Sequence, residues 1–534
     1  MTVIVLALLI VPVAAAIAAL WLPGPAAGAV TAAAGIASFG LVIALIPAAS
    51  RGQVRWLGLV RIDALSVVFL LATGFLYACV AVYSIGYLRP AGPHAAADKL
   101  YARRFWIGLN LFAWSMLAAP MMSNLALLWI AIEVTTIVSA LLVALEGTDG
   151  AAEAAWKYVL LASAGLAIAL LGTIFAYYAG AHVLGQSYSL AFSPLLHVAG
   201  RLPHTAVRLA FVLAVLGFGT KVGLFPVHTW LPDAHSEAPT PVSALLSGSL
   251  LAVSFYAILR YYQIAVAALG PRFPRDVLLV FGVASLLLAA LYLLDQRDYK
   301  RLLAYSSVEH MGILAIGVSF GVPIALAGVL LHVLAHAAAK GNAFMGAGVL
   351  VRKFGSKRIS SVTGGLDLLP WSGPLFLAAI LALSALPPFG IFRSEFEIVT
   401  GGLAASDNTA AVILVVLVTV AFLGLSVTAN RMLLTPRPPV TVRAGLAADA
   451  PSGITGGDPA PSTPASGTPA SGTPASGTPA SGTPAGQLTR GEPSVWMVVP
   501  VLAGLVALLV LGLHPPSELT GLLDRAVAVL RGQA

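Results

Sequence analysis

Charge is scarce in this chain. Of its 534 residues only 9% are Asp, Glu, Lys or Arg, and 59% are hydrophobic, with a mean hydropathy of +0.93. Soluble domains carry about 25% charged residues, so an ordinary soluble fold is excluded. Cysteine is nearly absent. Cys79 stands alone, and a lone cysteine forms no intrachain disulfide and holds no iron–sulfur cluster; it reads as a small core residue. Phosphate-cradling glycine loops and dinucleotide fingerprints are missing as well. The chain by itself is expected to carry no electrons and consume no ATP, to hold no cofactor and no metal, and to perform no catalytic chemistry. A net charge of +8 is low for this length, and the basic residues mark loops, so no nucleic-acid partner is expected.

What the chain has instead is apolar runs of roughly 20 residues, the length a spanning helix needs. About fourteen occur, near 2–21, 26–48, 63–85, 105–121, 123–145, 156–180, 207–226, 241–262, 277–294, 302–320, 323–350, 371–400, 409–430 and 494–513. No Lys or Arg precedes the first, which argues for a retained helix over a cleaved signal. With the N-terminus outside, Arg89, Lys99, Arg103, Arg104, Lys300, Arg301, Arg352, Lys353, Lys357, Arg358, Arg431 and Arg437 fall on the cytoplasmic side. The opposite loops hold chiefly Arg51, Arg55, Arg61, Arg272 and Arg275. The positive-inside rule therefore favours both termini outside in a multi-pass membrane protein, in contact with the lipid bilayer.

The expected organisation has five parts: three N-terminal spans and a loop (1–104), a first half (105–262), a second half (263–433), a linker (434–492), and a last span with a tail (493–534). The linker contains four copies of Ser-Gly-Thr-Pro-Ala from Ser466 to Ala485; it has no apolar face to bury and reads as disordered. In the tail, Leu519, Leu522, Leu523, Ala526, Val527 and Leu530 share one side. That spacing fits a short amphipathic helix on the membrane surface or against a partner.

Two runs contain breakers. Pro226 and Pro232 interrupt the seventh after Lys221, and Pro387 and Pro388 interrupt the twelfth before Glu395. Broken helices at matching places in two halves are the sequence trace of an internally repeated transporter; unrelated proline kinks are the alternative.

An ionisable group near the bilayer centre costs roughly 2.5–3.5 kcal/mol on insertion scales. Glu133, Lys221, Lys340 and Glu395 all lie in apolar runs. His332, His336 and Lys340 are four residues apart, which stacks them on one helix face over roughly 12 Å. Three protonatable groups in a row suit a proton relay; for each histidine singly, a hydrogen bond to a neighbouring helix is the competing reading. Glu133 and Lys221 suit a switch, because a nearby carboxylate raises the pKa that desolvation lowers; a static ion pair is the alternative. His228, Asp233, His235 and Glu237 read as belonging to the break and its mouth, either packing there or admitting protons. Thr240 is expected to cap the next helix, with Pro241 as its first residue.

Three stretches carry a resemblance: "TKVGLFPVHTWLPDAHSEAPTPVSALLSG", "QRDYKRLLAYSSVEHMG" and "ALPPFGIFRSEF". They resemble the antiporter-like proton-translocating membrane subunits. That family includes chains L, M and N of respiratory complex I, the large subunits of multisubunit Na+/H+ antiporters, and membrane subunits of energy-converting hydrogenases. Glu309, His310 and Met311, with Ser394, Glu395 and Phe396, look most like component F of hydrogenase-4, then chain M.

The resemblance implies an all-α polytopic membrane protein of about fourteen transmembrane helices. It implies two inverted five-helix repeats and broken seventh and twelfth helices. It makes Glu133 the fifth-helix glutamate, Lys221 the seventh-helix lysine, Lys340 the central or connecting basic residue of the second half and Glu395 the terminal residue of the twelfth helix. Glu309 and His310 join as a possible proton path or gate. Ala252 stands where many members have lysine or histidine, which leaves Ser249, Ser254 or water to link the halves. The implied partners are other membrane subunits, antiporter-like ones and those connecting to a quinone or hydrogenase module. The implied function is redox-coupled proton translocation. A multisubunit cation/proton antiporter without redox coupling, and a scaffold that has lost transport, are the rival readings.

Overall fold

The computed structural model describes residues 1–89, 95–436 and 489–533. Among the described residues the regular structure is helical, apart from one short hairpin, β1 (Val54–Trp56) and β2 (Val60–Ile62). Twelve helices of the described residues are long and apolar enough to span a membrane. In chain order they include α1 (Thr2–Trp21), α2 (Gly24–Ile43), α3 (Ala64–Tyr87), α5 (Leu125–Val143), α6 (Asp149–Leu184) and α7a (His204–Val222). After these come α8 (Thr240–Leu269), α9 (Arg272–Leu293), α10 (Tyr299–Phe320), α11 (Pro323–Phe354), α13 (Asn408–Leu433) and α14 (Val495–Leu513). Two more crossings complete the fourteen: α4 (Ala95–Ala118), and the pair α12a (Ser372–Leu383) and α12b (Gly390–Ala404). A short α7b (Trp230–Glu237) follows α7a, and α15 (Ser517–Leu530) ends the chain.

Both expected breaks are present. Gly223 ends α7a at φ +86°, a conformation that side chains with a Cβ rarely adopt. The irregular backbone behind it is covered by protein. Phe225 N–H donates to Ser285 Oγ on α9 at 2.9 Å, and Trp230 Nε1–H donates to Thr220 O at 2.6 Å. Backbone freed at membrane depth needs such partners. The second break lies between Leu383 and Gly390. One cis X–Pro bond sits in each break, Phe225–Pro226 and Pro387–Pro388.

Lipid gives helices no hydrophobic reason to associate, so close backbone approach decides their packing. Gly217 lets α7a touch α6, where a Cβ would collide with the backbone of Ala169. This contact sets the depth and rotation of Lys221, one turn further on. Gly328 on α11 does the same for α12b, where a Cβ would meet Ser394 O at 2.8 Å.

Of these helices, α8 and α10 are almost wholly buried and α11 largely so. A helix buried on all sides should be apolar all round; their serines, histidines and lysines are the exceptions and form the candidate site. Alternating crossings place 54–62, 119–124 and 190–191 on one face, tied by Ser123 N–H to Leu59 O at 2.9 Å. The loops at 233–238, 297–298 and 356–359 share the other, tied by Tyr299 N–H to Lys357 O at 3.1 Å.

Several expectations are corrected. The tail helix α15 does not keep its apolar side for membrane or partner. Leu522, Leu523, Ala526, Val527 and Leu530 are buried against this chain, and Gln263 Nε2–H donates to Val529 O at 2.6 Å. The linker's repeats lie outside the described residues, but its C-terminal edge is ordered. There Glu492 accepts from Trp371 N–H and Ser372 N–H at 2.9 Å and caps α12a. Thr240 is the first residue of α8 and Pro239 the cap, one position earlier than expected. Another concerns Ser249 and Ser254 and belongs with the site.

Candidate functional site

Lys221 is fully buried, yet its ammonium faces no carboxylate within ion-pair distance among the described residues. Nζ donates to Ile132 O at 2.9 Å, to Thr135 Oγ1 at 2.7 Å and to Thr136 Oγ1, all on α5. Asn124 starts that helix by accepting from Leu127 N–H at 2.8 Å. Glu133 is the next residue after Ile132, but its side chain turns to α6. There Oε1 accepts from Ser163 Oγ–H at 3.1 Å, and Oε2 is buried with no partner among the described residues. The two groups are therefore adjacent and unpaired, not the static ion pair that sequence left open.

His235 is not at the mouth of the break. It is fully buried, stacked between Trp230 (centroids 6.3 Å apart) and Phe344 on α11 (5.5 Å). Neither ring nitrogen has a hydrogen-bond partner among the described residues. Phe344 is one turn from Lys340, so His235 bridges the seventh crossing to α11. His228 is nearly buried against the ring of Phe225 at 6.2 Å.

Asp233 and Glu237 do sit at the mouth, held by ion pairs. Asp233 meets Arg301 at 2.6 Å and Lys157 at 3.4 Å, and Glu237 meets Lys357 at 2.8 Å. Lys300, counted from sequence only as a cytoplasmic loop charge, is buried and donates to Ser236 O at 2.9 Å and Ala238 O at 2.7 Å. These contacts tie α7b to the start of α10.

Lys340 repeats the pattern of Lys221. Nζ donates to Leu303 O at 2.9 Å and to Ser306 Oγ, a carbonyl and the hydroxyl three residues on. The neighbouring Ser307 shares a 2.7 Å hydrogen bond with Ser247 on α8. Ser247 is thus the hydroxyl that joins α8 to the Lys340 station. Ser249 instead pairs with Thr73 on α3 at 2.7 Å, and Ser254 donates to its own backbone at Leu250 O. A π-turn at Leu246–Leu250 causes the difference: its extra residue rotates the face that a regular helix would present.

Beyond Lys340 the histidines cluster. His310 Nδ1 lies 3.1 Å from His332 Nε2, and His332 Nδ1 lies 2.9 Å from Ser394 Oγ. Glu395 Oε1 is 3.9 Å from His310 Nδ1. His336 completes the group, its ring centroid 5.2 Å from that of His310. Glu309 is buried beside them, its Oε2 without a partner among the described residues. Glu395 borders an open cavity of about 310 Å³, also lined by Phe392, Phe396 and Thr419. The structure therefore assembles His310, His332, His336 and Glu395, and sets Lys340 one turn away from His336 along α11. Pro226 and Pro387 to Pro388 sit in the breaks, whereas Pro232 lies inside α7b.

Sequence reading missed one buried charge centre. Arg260 on α8 pairs with Asp63 at 2.7 Å, each 1% exposed. Asp63 also meets Arg61 at 3.3 Å and accepts from Ser66 N–H at 3.0 Å as the cap of α3. Burial alone would push the Asp63 carboxyl up; the Arg260 and Arg61 guanidiniums outweigh it and hold the group at about 2. The available signal was an arginine inside the apolar run "LLAVSFYAILRYYQIAV".

Comparison with known proteins agrees with this architecture. Residues 122–422 match the family described as NADH:quinone oxidoreductase/Mrp antiporter, TM. A hydrogenase-4 component F homolog of Methylacidiphilum infernorum is 36% identical over 368 residues, covering 67% of this chain and 75% of that protein. NADH-quinone oxidoreductase subunit N of Desulforudis audaxviator is 32% identical over 345 residues, 64% of this chain and 68% of its own. Among solved structures, one chain of the Mrp complex from Dietzia sp. DQ12-45-1b superposes with a TM-score of 0.79 at 21% identity, covering 99% of this chain and 98% of that one.

Proposed function

The chain belongs to the NADH:quinone oxidoreductase/Mrp antiporter transmembrane family, and from that premise we propose that it is a proton-translocating subunit of a plasma-membrane complex of the hydrogenase-4 or NADH:quinone oxidoreductase type. Partner subunits carry the redox chemistry; this chain carries the protons. The observation that supports the reading most is Lys221, an ammonium at zero exposure held by one carbonyl and two hydroxyls, with an unpaired carboxylate on the same neighbouring helix. Neutral acceptors stabilise a buried ammonium less than a carboxylate does. Small movements of Glu133 toward or away from Lys221 then decide whether the lysine keeps its proton.

The path we propose runs from the ion-paired mouth at Asp233 and Glu237, with His228 nearby, to Glu133 and Lys221. From there His235 leads to Lys340, and His336, His332 and His310 lead on to Glu395 and its open cavity. Glu309 lies beside the last steps. Partners are the neighbouring membrane subunits of the same complex, those that adjoin the quinone or hydrogenase module among them. No cofactor is assigned to this chain.

The family's antiporter branch supports a second reading, cation/proton exchange without redox coupling. The two separate in vesicles containing the complex purified through this chain. Electron transfer should drive proton uptake equally well with Na+ or K+ replaced by choline. Uptake that needs Na+ or K+, and proceeds without electron donor, would move the assignment to the antiporter. A second expected result concerns the bridge. His235→Phe keeps the ring stack with Trp230 and Phe344 and removes both nitrogens. Redox-driven proton uptake should fall by about 10²-fold, the low end for a positioned proton-transfer group, with the complex still assembled on native gels.

A further inference from the structure

We infer that His310, His332 and Glu395 form a binding site for one zinc-class divalent cation within the second half of the bundle. One donor atom from each lies within 4.8 Å of the others, with separations of 3.1 Å between the histidines and 3.9 Å from His310 to Glu395. Tetrahedral zinc binds nitrogen and carboxylate oxygen at about 2.0–2.2 Å, which sets its ligands roughly 3.3–3.5 Å apart. Two of the three separations bracket that value and the third, from His332 to Glu395, is no more than 4.8 Å, so a shift of the Glu395 carboxylate by about an ångström would close the site.

Three further observations favour a metal. His332 is oriented through its other ring nitrogen by Ser394 Oγ at 2.9 Å, the arrangement by which metal-binding histidines are fixed in tautomer and direction. His310 Nε2, both nitrogens of His336 and Glu395 Oε1 are buried with no hydrogen-bond partner among the described residues. Buried polar atoms in native folds normally have one, and a cation held by His310 Nδ1, His332 Nε2 and the Glu395 carboxylate would satisfy Glu395 Oε1. The cavity of about 310 Å³ against Glu395 supplies an approach. The donor set is mixed nitrogen and oxygen, which suits Zn2+, Co2+ or Ni2+; Na+, Mg2+ and Ca2+ prefer oxygen alone.

The site stands without the proton-transfer reading, but its consequence rests on that reading. A bound cation occupies the atoms that would pass the proton, so it blocks transport. The test uses the full chain, purified in detergent through a histidine-free tag. Equilibrium dialysis against Zn2+ should find one ion bound, and Co2+ should give the strong visible absorption of a tetrahedral centre. Glu395→Gln and His332→Ala should each weaken binding by tenfold or more. Ser394→Ala, which leaves every ligand in place, should weaken it by about 10-fold, and guards against a His332 variant that fails to fold. Absence of bound metal, or binding that none of the three substitutions alters, overturns the site. Zn2+ is then added to vesicles of the assembled complex. Inhibition of proton uptake supports both claims, whereas a bound ion with unchanged uptake keeps the site and rejects the relay through these histidines.

Discussion

Lys221→Met is expected to cut redox-driven proton uptake through this chain by about 10²-fold or more, with the complex still assembled. The size follows from what a positioned proton-transfer group contributes, about 10²–10⁴-fold. Survival of the fold follows from the contacts. Methionine is unbranched and close to lysine in volume, so the cavity on α5 stays filled. The groups that lose the ammonium are not orphaned: Thr135 Oγ1–H also donates to Ile132 O at 2.6 Å and Thr136 Oγ1–H to the same carbonyl at 3.4 Å. Removing an ammonium at zero exposure also removes its desolvation cost. The readouts are dye-reported uptake in vesicles and the native-gel position of the complex. Normal uptake with normal assembly would strip Lys221 of its role.

Arg260→Leu should have the largest effect on folding. It leaves the buried Asp63 with Arg61, at 3.3 Å, as its one remaining cation among the described residues, and breaking one side of a buried pair costs about 3–5 kcal/mol. The guanidinium also donates to Tyr256 Oη, Ser66 Oγ and Gln263 Oε1, and Gln263 in turn holds the tail helix. Loss of Arg260 therefore loosens α3, α8 and α15 together. The double substitution Asp63→Asn with Arg260→Leu should be milder than Arg260→Leu alone, because asparagine can still cap α3, the buried carboxylate is gone, and Arg61 keeps its 3.1 Å hydrogen bond to Gln53 Oε1. The check is thermal unfolding of the detergent-purified chain: a midpoint for the double variant at or below that of Arg260→Leu would contradict the assignment.

Much of this was legible along single helices. Run length revealed the crossings, proline placement revealed both breaks, and four-residue spacing put His332, His336 and Lys340 on one face. What escaped depends on contacts between helices far apart in the chain. Asp63 and Arg260 are 197 residues apart, and neither sequence neighbourhood names the other. His235 follows the break by only a few residues, which reads as a mouth position; the packing of α7b against α6 and α10 carries it inward. The Ser247 link was hidden by a π-turn, since helical periodicity assumes 3.6 residues per turn. The amphipathic tail displayed an apolar face but could not say that its own chain covers it.

The central claim is that the lysine station of the first half and the histidine–glutamate group of the second belong to a single connected route. Protons moved per electron, measured in vesicles of the assembled complex, test it directly for Lys221→Met, Glu395→Gln and the pair combined. Interruptions of one route are not additive. The account predicts that each single variant lowers the ratio by the same amount and that the double variant lowers it no further. Losses that add in the double variant would mean two independent routes and would contradict it.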